Sequence, residues 1–241
     1  MASPVIPRIA VVICSQRSPR VGPKIADFVL GVLEASRQNQ QQQQQQQQYQ
    51  KQERSATSSS SSSSSYSVTN AVTAPAATAT TAYSLVRLDL QDWHLPLFDE
   101  PSIPSHVRSA DSYVQPHTRA WSAEVSSYAA FVFVCPQYNW GYPASVKNAI
   151  DYLYHEWGGK PAMIVSYGGK RGGDKAAQQL RQVLLGVRMK VAETMPGLPL
   201  KTEDILTAAA LKGNLAPEAA KMWSAEGDLI LKAFQELLEL L

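Results

Sequence analysis

The chain has 241 residues, 44% of them apolar and 17% charged, with a formal net charge of +2. That balance is ordinary for a globular protein, and the charge is too small to hold nucleic acid by long-range attraction. No apolar run approaches the roughly 20 residues that span a bilayer, no basic-then-apolar leader opens the chain, and two cysteines cannot build a disulfide framework. No nucleic-acid or membrane partner is therefore expected. The expected location is cytoplasmic, with a nuclear fraction left open.

Residues 8–14 are a short β-branched run, the pattern of a strand buried on both faces of a parallel sheet. A polar turn follows, then a helical pattern with Ile25, Phe28, Val29, Val32 and Leu33 on one face. Residues 38–82 change character: 40–48 are all glutamine, 58–65 all serine, and an Ala/Thr-rich stretch follows. Such a composition buries too little apolar surface to offset its ordering entropy. A disordered insertion is expected there, either a tolerated surface loop or a recruiter of partners. Order resumes with a strand at residues 84–90, where Leu85, Val86, Leu88 and Leu90 are apolar. A Pro-rich loop carrying Trp93, Leu95, Leu97 and Phe98 leads to a helix around residues 119–127. Residues 130–135 form the clearest strand, followed by a loop at 136–143 and a helix through Val146, Ile150 and Leu153. A strand at 162–166, a cluster of Gly168, Gly169, Gly172 and Gly173, a helix near 174–189 and a weak strand near Val191 continue the alternation. Residues 217–241 close the chain as an amphipathic helix. Alternating strands and helices specify one α/β domain over residues 1–241, with an open parallel sheet covered on both faces.

Ligands of such sheets bind beyond the carboxyl ends of the strands, where strand order reverses. Three loops follow strands in this chain. Residues 15–22 offer the Ser15 hydroxyl, guanidinium forks at Arg17 and Arg20, and the start of a helix. That is the chemistry of a phosphate cradle, although the same residues also suit a solvated turn. Residues 136–143 concentrate aromatic and amide groups, which suit a flat cofactor or a turn with Tyr138 and Trp140 tucked into the core. Residues 166–173 let the backbone approach a ligand closely, because glycine has no Cβ. Their glycines fit neither GxGxxG nor the GK[ST] end of a P-loop, so a Rossmann dinucleotide domain and a P-loop NTPase are both disfavoured. His94, His106, His117 and His155 lack metal-site spacing, and no metal is expected. Cys14 and Cys135 end two strands and are read as small buried residues, with a redox pair as the alternative.

Together, Ser15-Gln16-Arg17-Ser18-Pro19-Arg20-Val21-Gly22, Pro136-Gln137-Tyr138-Asn139, Lys147-Asn148-Ala149-Ile150-Asp151 and Ser166-Tyr167-Gly168-Gly169 resemble the NADPH-dependent FMN reductase family. The stretch 135–173 is similar to its fungal quinone reductases. The resemblance implies a flavodoxin-like three-layer sandwich with a five-stranded parallel sheet in the order 2-1-3-4-5. It implies that Ser15, Arg17, Arg20, Val21 and Gly22 hold the FMN phosphate. Pro136, Gln137, Tyr138, Asn139 and Trp140 would line the isoalloxazine, with Ser166, Tyr167, Gly168 and Gly169 closing its other side. Arg17, Arg20, Lys170 and Arg171 become candidates for meeting the phosphates of NADPH or NADH. The activity implied is two-electron, ping-pong reduction of a quinone, an azo compound or free flavin. Flavin N5 would carry the hydride, so no catalytic side chain is named. A homodimer is implied as well. Many family members carry glutamate where this chain has Gln137. A flavodoxin-like electron carrier and a flavin-binding regulatory protein without turnover stay open as alternatives, and the net charge of +2 speaks against the carrier.

Overall fold

The apolar β-branched runs build a parallel sheet from β1 (Arg8–Ile13), β2 (Ser84–Asp89), β3 (Ala130–Pro136), β4 (Pro161–Tyr167) and β5 (Lys190–Val191), in the order β2-β1-β3-β4-β5. This computed structural model describes residues 6–58, 82–200 and 221–241. β3 and β4 are buried along their whole length, which is why their sequences are apolar runs rather than alternating, with Ser166 the polar exception in β4. A sixth strand, β6 (Gly197–Leu198), was not expected. It exists because β5 pairs only with Pro161 and Ala162 at the amino end of β4. The carboxyl end of β4 needs other backbone partners, and β6 supplies them by pairing with Ser166 and Tyr167.

Successive β1 residues point to opposite faces, and each face carries its own core. One holds Ala10, Val12, Phe131 and Phe133 against Trp121 of α2 (Pro116–Ser126), Ile150 of α3 (Ala144–Asp151) and Leu180 of α4 (Asp174–Gly186). The other holds Ile9, Val11, Val132 and Val134 against Ile25, Val29 and Leu33 of α1 (Gly22–Ser58) and Ile230, Phe234 and Leu237 of α5 (Ser224–Glu239). Each large apolar side chain so buried contributes roughly 1.5–3 kcal/mol. The helix expected near 119–127 starts earlier, at Pro116, because proline suits the first helical turn. Buried Glu100 also accepts the N–H groups of Val114 (3.0 Å) and Gln115 (2.8 Å) at that helix end. Residues 217–220 of the expected closing helix lie outside the described residues.

The chain divides into two units, residues 1–33 with 83–241, and residues 34–82. In the second unit α1 does not stop where the low-complexity composition begins. It runs through the glutamine tract to Ser58, with residues 38–51 exposed throughout. Glutamine is a good helix former, and a helix already nucleated by the turns carrying Ile25, Val29 and Leu33 extends at little further cost. Residues 59–81 of the expected insertion lie outside the described residues.

Candidate functional site

The carboxyl end of β1 feeds a loop whose first residue, Ser15, is 1% exposed; its Oγ makes no hydrogen bond of good geometry and has the Tyr167 hydroxyl as a polar neighbour. Gly22 opens α1 against the same spot. A Cβ there would lie 2.0 Å from Ser15 Oγ and 2.8 Å from the Tyr167 hydroxyl, so only glycine fits. Burial pushes the Tyr167 phenol pKa well up, with the neighbouring Ser15 hydroxyl opposing, and this keeps the phenol protonated. A buried hydroxyl, a neutral phenol and the positive end of the α1 dipole therefore converge at one spot, where residue 22 adds no side chain of its own. The chemistry of that set favours an anion.

The two arginines of this loop differ sharply. Arg17 is exposed, and its guanidinium carbon lies 5.2 Å from the centroid of the Tyr138 ring. Arg20 is committed to the protein. It donates from Nη1 to Asp89 Oδ1 and to Ser15 O, both 2.8 Å, and from Nη2 to Asp89 Oδ2 at 2.7 Å. Gln16 Nε2 adds a bond to Leu90 O at 3.2 Å, so both ties of the loop run to the end of β2.

After β3, Tyr138 and Gly141 exchange backbone hydrogen bonds of 2.9 and 3.0 Å across a tight turn. Its central residues, Asn139 and Trp140, have φ of 45° and 70°. Asparagine tolerates that region, whereas a bulky side chain is strained in it. Gln179 Nε2 donates to Trp140 O at 3.1 Å and fastens the tip. Trp140 is 66% exposed and so is not tucked into the core. Gln137 does something sequence reasoning missed: its Oε1 accepts the N–H groups of Lys175 (3.1 Å) and Ala176 (3.4 Å), capping α4. Its amide oxygen is thus turned to the helix. The Tyr138 phenol pKa is raised by burial, with the charge of Arg17 opposing.

The loop after β4 joins the other two. Gln137 N donates to Tyr167 O at 2.9 Å, and Gly168 N and Gly169 O bond to Leu198 O (3.3 Å) and Leu200 N (2.8 Å). Ser166 is buried and donates its hydroxyl to Gly172 O at 2.8 Å, closing the glycine loop on itself. Gly173, at φ 83°, precedes α4 where a Cβ would meet Tyr167 O at 2.8 Å. Lys170 and Arg171 are exposed, with Arg171 Nη1 3.8 Å from Asp174 Oδ2. All three loops singled out in the sequence therefore meet at one sheet edge: 15–22 with 136–143 through Arg17 and Tyr138, 136–143 with 166–173 through Gln137 and Tyr167, and 15–22 with 166–173 through Gly22 and Tyr167. Asp89 and Gln179 were missed. An acidic residue ending a strand beside β1 was the available signal for Asp89, since the register pairs it with Ile13.

Cys14 and Cys135 are both free and buried, and burial pushes the Cys14 thiol pKa up, away from the reactive thiolate. Lys147 and Asp151 make an ion pair on α3. Among the described residues no helix is long and apolar enough to cross a membrane.

The family model for NADPH-dependent FMN reductases matches residues 56–199, more than half of the chain. An NAD(P)H-dependent FMN reductase of Schizosaccharomyces pombe is 50% identical over 126 residues, which are 52% of this chain and 62% of that protein. The chain thus spans less than two thirds of that relative's length. An NAD(P)H-dependent FMN reductase of Nectria is 42% identical over 157 residues, 64% of this chain and 78% of that one. An NADPH:quinone oxidoreductase of Arabidopsis thaliana is 29% identical over 148 residues, covering 60% and 74% of the two chains. A solved flavoenzyme NAD(P)H:(acceptor) oxidoreductase from Paracoccus denitrificans shares the fold, with a TM-score of 0.53 and 18% identity over 95% of this chain and 99% of that one. The sheet order and the helices on both faces are those of a flavodoxin-like sandwich. With that fold, these converging loops and a family match over more than half its length, the chain belongs to the NADPH-dependent FMN reductase family.

Proposed function

We propose that this chain is an FMN-dependent NAD(P)H oxidoreductase that reduces quinones, azo compounds or free flavin by two electrons. The observation that carries the reading is the buried Ser15 hydroxyl, which makes no hydrogen bond of good geometry, beside the Tyr167 hydroxyl and the end of α1 at Gly22. A buried polar group left unmade costs roughly 1–3 kcal/mol, and a phosphate oxygen accepting from Ser15 would recover it. The residues present fit FMN. Ser15, Val21 and Gly22 would hold the phosphate, with Arg17 as the exposed cation at the rim. Pro136, Tyr138, Asn139 and Trp140 would line one side of the ring, with Tyr167, Gly168 and Gly169 on the other. Bound FMN supplies the hydride chemistry.

The protein's own work is positioning. Gln137 and Gln179 hold the turn at 138–141 in one conformation, so its aromatic residues keep a fixed place against the glycine loop. Arg17, Lys170 and Arg171 give the rim positive charge for the phosphates of NADPH or NADH. The relative named as a quinone oxidoreductase supports quinones as acceptors. Exposed Leu97 (85%), Ile103 (62%) and Val114 (56%) support a homodimer in which a second copy covers them. Two free cysteines suit a reducing compartment such as the cytoplasm. Residues 38–82 serve as a passive insertion, whose deletion leaves turnover unchanged.

The test is an absorbance spectrum of the purified protein, followed by anaerobic NADPH and then a quinone. Flavin bands that bleach with NADPH and return with the quinone are expected. A bound flavin that neither NADPH nor NADH bleaches would move the protein to an electron carrier or regulator.

A further inference from the structure

We propose that Asp89, acting through Arg20, is a positioning residue for the anion site of the β1 loop, and that Arg20 itself is a strut rather than a phosphate ligand. The inference rests on the FMN reading above and assigns roles within that site. The Arg20 and Asp89 side chains are only 16% and 14% exposed and face each other in a two-pronged pair, with bonds of 2.8 and 2.7 Å. Asp89 Oδ1 is fixed in turn by Gln91 N at 3.0 Å. A guanidinium engaged by a carboxylate in this way has little net charge left to offer a phosphate.

What Arg20 does instead is geometric. It holds the Ser15 carbonyl at 2.8 Å, on the side of Asp89. Left free, that carbonyl oxygen could turn toward the cradle and repel an anion. In a trans peptide the next N–H is antiparallel to the C=O, so the same bond directs the Gln16 N–H away from the ion pair. Arg20 thereby sets the Ser15–Gln16 peptide plane, and with it the backbone that carries the buried Ser15 hydroxyl. Asp89 fixes the fork that does this.

The proposal and simple electrostatics predict opposite signs. Removing an acidic group beside an anion site should tighten phosphate binding if charge alone matters. A strut that loses its anchor should weaken it. FMN and riboflavin, which lacks the phosphate, are titrated by flavin fluorescence against the full-length wild type, Asp89→Asn and Arg20→Lys. Expected for Asp89→Asn is about a tenfold loss of FMN affinity with riboflavin affinity unchanged, the scale of one charge-assisted hydrogen bond. Arg20→Lys, which keeps the charge and loses the fork, is expected to match it. Tighter or unchanged FMN binding in Asp89→Asn overturns the proposal, as does an equal loss of both flavins. Should Asp89→Asn not fold, full FMN affinity in Arg20→Lys overturns it alone. A wild type that binds neither flavin brings down the FMN reading, and the proposal with it, an outcome distinct from any failure of the variants.

Discussion

The loop after β1 is anchored by charge, through the Arg20–Asp89 pair at 2.7 and 2.8 Å, whereas the loop after β3 is anchored by neutral amides, Gln137 and Gln179, at 3.1 Å each. Both loops leave the same sheet edge, yet they hold different things. In the first, Ser15, Gly22 and Tyr167 pack closely together at the start of α1. Its anchor cancels its own charge, so the field at that spot comes from the helix end and from Arg17 at the rim. The second keeps a strained tip, with Trp140 at φ 70°, and holds it with groups that do not titrate. Charge fastens the place suited to an anion, and amides fasten the place suited to a flat ring.

Substitutions can break that contrast. The largest effect is expected from Gly22→Ala, whose Cβ would stand 2.0 Å from Ser15 Oγ and 2.8 Å from the Tyr167 hydroxyl. FMN affinity should fall by about a hundredfold and stability by about 1–3 kcal/mol, read by fluorescence titration and thermal melts. Ser15→Ala should cost about tenfold in FMN affinity while the flavin-free protein keeps its stability or gains up to about 1 kcal/mol, since it loses a buried hydroxyl that makes no hydrogen bond of good geometry. A stability loss there would show that the hydroxyl serves the fold. Gln137→Ala removes the acceptor for two N–H groups of α4 and should cost about 1 kcal/mol of stability. Its effect on FMN should be smaller than that of Ser15→Ala, and an equal effect would erase the distinction between the loops. Trp140→Gly should raise stability by about 0.5–1 kcal/mol by relieving the positive φ of an exposed residue, as urea unfolding would record.

Much of this arrangement is legible in the residues alone. β1, β3 and β4 announce themselves as apolar runs because strands buried on both faces carry few polar residues, and the exception in β4, Ser166, has its hydroxyl bonded to Gly172 O. The three loops follow from those strands, since in a parallel sheet each strand delivers its carboxyl end to the same edge. Less legible was the run of α1 through the glutamine tract, where composition points to disorder while the propensity of glutamine supports a helix already begun.

What the tertiary structure alone decided is how each polar group in those loops is used. Arg17 and Arg20 look equivalent in sequence. Only the β1–β2 register brings Asp89, 69 residues away from Arg20, to the position that neutralises one of them and leaves the other at the rim. Gln137 resembles a ring-lining amide until α4 presents its first N–H groups 38 and 39 residues later. The strands are determined by local burial, which periodicity records. The partners of charged and amide groups are determined by strand register and helix placement, which no local pattern encodes.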